Sequence, residues 1–174
     1  MYHDSQGNVL TTGSANAASH FSNAIEDFLH YRTTPSAKLK KALSADPEFV
    51  LAICLRGYFL MMVENRKVIP KVQEIIRSLI PQVSRLSERE RLHVEALAAW
   101  AECDLLKTCQ VWEQLLTIAP RDILALKLAI MKLPELDEQP DTLMLGDIKI
   151  NKNKIGLQGF SLGGVIAESA AAYA

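Results

Sequence analysis

The residues in this sequence that most directly suggest chemistry are Gly159-Phe-Ser161-Leu-Gly163, a G-x-S-x-G pattern. Before it stand Asp147-Ile-Lys-Ile-Asn151 and Lys154-Ile-Gly-Leu-Gln158, and after it an alanine-rich run, which together read as strand, tight turn and helix. In such a turn the glycines permit a strained backbone that lifts the serine hydroxyl clear of its surroundings. The next backbone N–H is then free to hold an oxyanion. Ser161 would be the nucleophile of an acyl or ester transfer and Leu162 N–H an oxyanion donor. A serine is a weak nucleophile without a base, and residues 162 to 174 contain neither Asp nor His. The four histidines, His3, His20, His30 and His93, all lie upstream.

Residues 154 to 172 are similar to the nucleophile elbow of α/β-hydrolases, including the acyl-CoA thioesterase group. In those enzymes the acid and then the histidine follow the serine, so the resemblance implies a triad that this chain cannot complete downstream. The alternative readings of the segment are a truncated, fused or alternatively spliced product, or a flexible tail.

Chemistry elsewhere is sparse. Nineteen basic and twenty acidic residues give a net charge of −1, so no field of one sign gathers nucleic acid or an anionic membrane. Neither partner is expected. Cys54, Cys103 and Cys109 are odd in number, sit in apolar helical patterns and lack metal-ligand spacing. They read as reduced core residues, and no metal or other cofactor is expected. The polar start of the chain lacks a secretory signal, and no window approaches 18 uninterrupted apolar residues. A cytoplasmic location is expected.

What would position any site is a series of helices. Ser14 is a candidate N-cap for an apolar face running from Ala17 to about Tyr31. Thr34-Pro35 opens a short helix, and Asp46-Pro47 restarts the chain into a nearly all-apolar helix to about Met62, which should be central. Pro70 and Pro81 bound the next helix. Ser87 and Glu90 stand in S-x-x-E spacing, the signature of a capping box. That helix turns at residues 102 to 104 and pairs with a helix ending at Ala119-Pro120; a last helix runs from Ile123 to about Leu133. Glu88-Arg-Glu-Arg91 reads as a solvated face.

Pro47-Glu-Phe-Val-Leu-Ala52 and Pro120-Arg-Asp-Ile-Leu-Ala125 keep the same offsets at 120 − 47 = 73 residues, about two units of a roughly 34-residue helix-turn-helix repeat. The chain here resembles the tetratricopeptide repeat, with Ile53 and Leu92 in the large-residue slot, Gly57 and Ala96 in the small-residue slot and Trp112 in the aromatic slot. Ile53 is not the usual Trp, Thr108 replaces a small alanine, and the loop at residues 63 to 69 is longer than the repeat allows.

A narrower resemblance rests on Asp4-x-x-Gly7-x-x-Leu10-Thr-Thr12, Ala45-Asp-Pro-Glu-Phe-Val50, Ser87-Glu-Arg-Glu90, Leu92-His-Val94, Trp112-Glu-Gln-Leu115 and Asp122-Ile-Leu-Ala-Leu-Lys127. Over residues 4 to about 130 these resemble the N-terminal part of the tetratricopeptide repeat protein 38 family, which is all-helical and has no established enzymatic activity.

The expected architecture is therefore all-α. A terminal extension spans residues 1–14, a tetratricopeptide-repeat-like stack of antiparallel helix pairs spans 15–133, and a tail with the elbow-like segment spans 134–174. The resemblance implies a non-enzymatic scaffold binding a protein or peptide on a concave face. That face would be lined by Tyr58, Met61, His93, Leu97, Trp100 and Lys127. The competing reading makes Leu97 and Trp100 ordinary core and His93 a surface or internally capped residue. An uncapped last helix should expose an apolar face near Leu124, Leu128 and Met131, through which the chain could self-associate.

Overall fold

Capping chemistry sets where the helices begin. In the computed structural model, which describes residues 2–132, 142–145 and 148–151, the Ser14 hydroxyl accepts the Ala17 N–H at 3.2 Å and opens α1 (Ala15–Leu29). Pro35 occupies the first position of α2 (Pro35–Ala45), where its missing N–H would have had no partner within the helix. Thr34 precedes it, yet its hydroxyl does not cap the helix. It donates instead to Asp27 Oδ2 at 2.5 Å, tying the start of α2 to α1.

Asp46-Pro47 marks a turn, with Asp46 Oδ1 accepting the Glu48 N–H at 3.1 Å. The helix itself, α3 (Val50–Met61), begins three residues after the proline. It is central as expected, with nine of its twelve residues buried. Next come α4 (Ile69–Leu79), a 3-10 turn over Ile80–Arg85, and α5 (Glu88–Ala101). Both halves of the capping box are present: Ser87 accepts the Glu90 N–H, and the Glu90 carboxylate accepts the Ser87 N–H. The chain then forms α6 (Leu105–Ile118) and α7 (Ile123–Lys132).

The fold is all-α in class, with two short antiparallel ribbons among the described residues. β1 (Tyr2–His3) pairs with β2 (Val9–Leu10) around Gly7, whose φ of 83° suits glycine. β3 (Thr142–Leu145) pairs with β4 (Ile148–Asn151) and touches α6. Asp147 to Asn151 was expected to lead into an elbow; the described part of it is the second strand of a hairpin. Ser161, Leu162 and the rest of that segment lie outside the described residues.

The helices pack in sequence order: α1 on α2, α3 on α4, α5 on α6 and α6 on α7, while α3 and α4 also contact α5. Phe21 meets Phe49 at a centroid separation of 4.9 Å, and Trp100 meets Trp112 edge-on at 5.6 Å. Gly57 lies where α3 approaches α5 so closely that a Cβ would fall 2.5 Å from a methyl of Leu97.

Three expectations need correction. The face of α7 expected to be exposed is not: Leu124 and Leu128 are buried and Met131 half-buried. α6 packs along α7, and Lys127 reaches across to α1. Residues 2–14 are not a mere extension, because Leu10 joins the core. Of the three cysteines, Cys54 and Cys109 are buried, but Cys103 is exposed in the α5–α6 turn with a φ of 62°. Among the described residues no helix is long and apolar enough to cross a membrane.

Candidate functional site

Among the described residues two regions gather groups of functional interest, and they are built in opposite ways. The first lies where the N-terminal ribbon meets α5 and α7. Arg89, on the first turn of α5, donates from Nε to Asp122 Oδ2 at 2.5 Å, from Nη2 to Asp4 Oδ2 at 3.1 Å and from Nη1 to the Val9 carbonyl at 3.1 Å. His93, one turn later on the same helix face, places Nε2 3.0 Å from Asp122 Oδ2. Asp122 accepts only, so Nε2 carries the proton there. Its other oxygen accepts the Ala125 N–H at 2.9 Å and so caps α7. Burial pushes the Asp122 carboxyl up, but His93 and Arg89 beside it, with the Ala125 N–H, outweigh that and hold it well below the usual carboxylate range.

A histidine backed by an aspartate is the arrangement of a general base, and here it is sealed. His93 and Asp122 are both completely buried. The Tyr58 hydroxyl covers Nδ1 at 3.2 Å while donating to the His93 carbonyl at 2.8 Å, and Trp112 Nε1 donates to that hydroxyl at 3.4 Å. Burial raises the Tyr58 phenol well above its ordinary value, so it stays protonated. Among the described residues no buried side-chain nitrogen or oxygen lacks a partner. The network is a fastening in which each donor and acceptor is engaged by another part of the chain.

The six residues expected to line a concave face are all buried, so they present no open groove. Tyr58 and His93 belong to the network, Leu97 packs on Gly57, and Trp100 sits against Trp112. For Leu97 and Trp100 the core alternative describes the packing; His93 is capped inside the stack. Met61 and Trp100 do meet at a cleft of about 220 Å³, beside the Lys132–Glu64 pair. Lys127 stands apart, its Nζ donating to the Phe28 and Leu29 carbonyls at 2.8 and 3.3 Å and lying over the Phe28 and Tyr31 rings. It closes the C-terminal end of α1, where carbonyls lack helical partners. Burial lowers its ammonium to about 8.

The second region is open. A groove of about 570 Å³ runs between α2 and α3. α2 lines it with Ser36, Leu39, Lys40, Leu43 and Ser44, and α3 with Arg56, Phe59 and Leu60, while Val63 follows just past the end of α3. Within each helix these residues follow the three- and four-residue steps of a single face. Lys40 and Arg56 are exposed, and Val63 is 62% exposed.

Sequence reasoning missed Arg89 and Glu90 as buried groups and missed this groove. The Asp4 motif and the Ser87–Glu90 box held part of the signal, since Glu90 also accepts from Thr11 N–H and Oγ at 3.1 and 2.7 Å. Among the described residues no set of His, Cys, Asp and Glu is grouped to hold a metal ion. No family model matches the chain, and no solved structure matches it.

Proposed function

We propose that the helical part of this chain is a tetratricopeptide-repeat-like stack of the tetratricopeptide repeat protein 38 family. On this reading it works without catalysis, in the cytoplasm, as a scaffold for a protein or peptide partner. The observation that carries the reading is the contact of Gly57 with Leu97. A small residue ten positions after Pro47, pressed by the next helix hairpin, is what repeat stacking requires, and buried Ala96 and Trp112 at their own slots support it. Such stacks bind through surfaces between neighbouring helices. With the six inward positions occupied by packing, the partner would use grooves between helices, such as that of α2 and α3.

The test is selection from a random displayed-peptide library against the purified full chain. Enrichment of a shared sequence, bound with micromolar affinity or better, is expected; no enrichment above an unrelated helical control would sink the scaffold reading. The second reading, a serine hydrolase or acyl-CoA thioesterase fragment, rests on the G-x-S-x-G pattern alone. It predicts labelling by a fluorophosphonate probe that Ser161→Ala abolishes, whereas the scaffold reading predicts no Ser161-dependent labelling.

A further inference from the structure

We infer that the α2–α3 groove is the docking site for an acidic amphipathic helix of a partner protein, an inference that deepens the scaffold reading and rests on it. The first support is charge. α2 carries Lys38, Lys40 and Lys41, α3 carries Arg56, and neither helix contains an Asp or Glu. Lys38 is neutralised by Asp27 at 2.9 Å. Among the described residues Lys40, Lys41 and Arg56 form no ion pair, and Lys40 and Arg56 stand on opposite walls of the groove. Cations left uncompensated on both sides of one cleft select an occupant with carboxylates along both flanks.

The second support is shape. Between the cations the floor is apolar, formed by Leu39, Leu43, Phe59 and Leu60. A third helix laid in the valley between two others reaches such a floor with residues at i, i+3, i+4 and i+7. The eleven residues of α2 span about 16 Å, which matches about three turns of an occupant. The alternatives fit less of this. An anionic membrane would need several apolar side chains that protrude together, whereas Leu39 is only 3% exposed at the base of the cleft and, of the apolar residues lining it, Val63 alone stands out. A nucleic-acid backbone would use the cations and leave the apolar floor unpaired.

The experiment uses displayed peptides of about 12 residues with leucine, isoleucine or phenylalanine at i, i+3/i+4 and i+7 and all other positions random. These are selected against the full chain, and anionic phosphatidylserine vesicles are assayed in parallel. The expected winners are net-negative. Their affinity should fall at least tenfold in Lys40→Glu/Arg56→Glu and weaken with added salt, but be unchanged in Lys71→Glu/Lys107→Glu on α4 and α6. Circular dichroism and the melting midpoint identify any variant that has lost its fold, and Lys40→Gln/Arg56→Gln provides a gentler second variant that should weaken binding by a smaller factor. Winners that are not acidic, or that bind both groove variants normally, overturn the groove assignment and leave the scaffold reading standing. Vesicle binding abolished by the groove variants, without peptide enrichment, overturns it in favour of a membrane surface. Failure of every peptide, here and in the unrestricted library, removes the scaffold reading and this inference with it.

Discussion

The Arg89–Asp122–His93 network and the α2–α3 groove differ in what their charges face. In the first, each charge is met by another group of the same chain, and the Asp122 and His93 side chains are both fully buried. In the second, Lys40 and Arg56 are exposed and without an ion partner among the described residues. The residues with the greater intrinsic reactivity are thus the ones spent on fastening β1, β2, α5 and α7 together. The groove is chemically plain, yet it is where something outside the chain could satisfy an unmet charge. Changes in the sealed network should therefore appear as stability, and changes in the groove as binding.

The sharpest way to break this contrast is Asp122→Ala. It strands Arg89 and His93 inside the molecule and removes the acceptor that caps Ala125 N–H. Loss of one partner from a buried, hydrogen-bonded ion pair costs roughly 3–5 kcal/mol. The urea unfolding midpoint should fall accordingly, while peptide affinity of the remaining folded fraction is unchanged. A loss under about 1 kcal/mol would mean that the network contributes little more than an exposed pair does.

Helix starts were legible in the sequence because they are local. Ser14, Pro35 and the Ser87–Glu90 box act within three or four residues, and all mark helices in the structure. The central place of α3 was legible from its unbroken apolar run. Arg89 was not, because its partners Asp4 and Asp122 lie 85 and 33 residues away, and a charge run looks solvated until the fold brings them in. The six inward residues were assigned by analogy to an open face. What their pattern could not convey is how closely α3, α5 and α6 approach each other, a distance set by Gly57 and filled by Trp112. The groove escaped notice because its two walls come from different helices. The available signal was that α2 and α3 together carry four cations and no anion.

Asp27 occupies an intermediate position, buried itself but paired with Arg32 and Lys38, which reach toward solvent. Hydrogen bonds from Thr34 and then Lys38 lower its carboxyl from the ordinary 3.8 to about 2, against the opposing effect of burial. Above pH 3.8 both folded and unfolded chains carry the charge, so its contribution to stability is complete. Between about 3.8 and 2 the unfolded chain takes up a proton that the folded one refuses, so stability falls with pH, and below about 2 the contribution is gone. Asp27→Asn should therefore flatten the decline of the melting midpoint across that window. An equally steep decline in the variant would assign the acid sensitivity to other carboxylates, Asp122 first among them.

The smallest expected effect on stability is the one that separates the two regions most cleanly. Lys40→Glu/Arg56→Glu touches exposed side chains without ion partners among the described residues, and such substitutions usually stay within about 0.5 kcal/mol. The effect should be close to neutral, because Lys40 stands two residues from Lys38 and one from Lys41, spacings at which side chains on a helix do not face one another. If the double variant instead unfolds by several kcal/mol, Lys40 and Arg56 are fastening groups like Arg89. The groove would then be part of the scaffold's own construction, with no cations held in reserve for a partner.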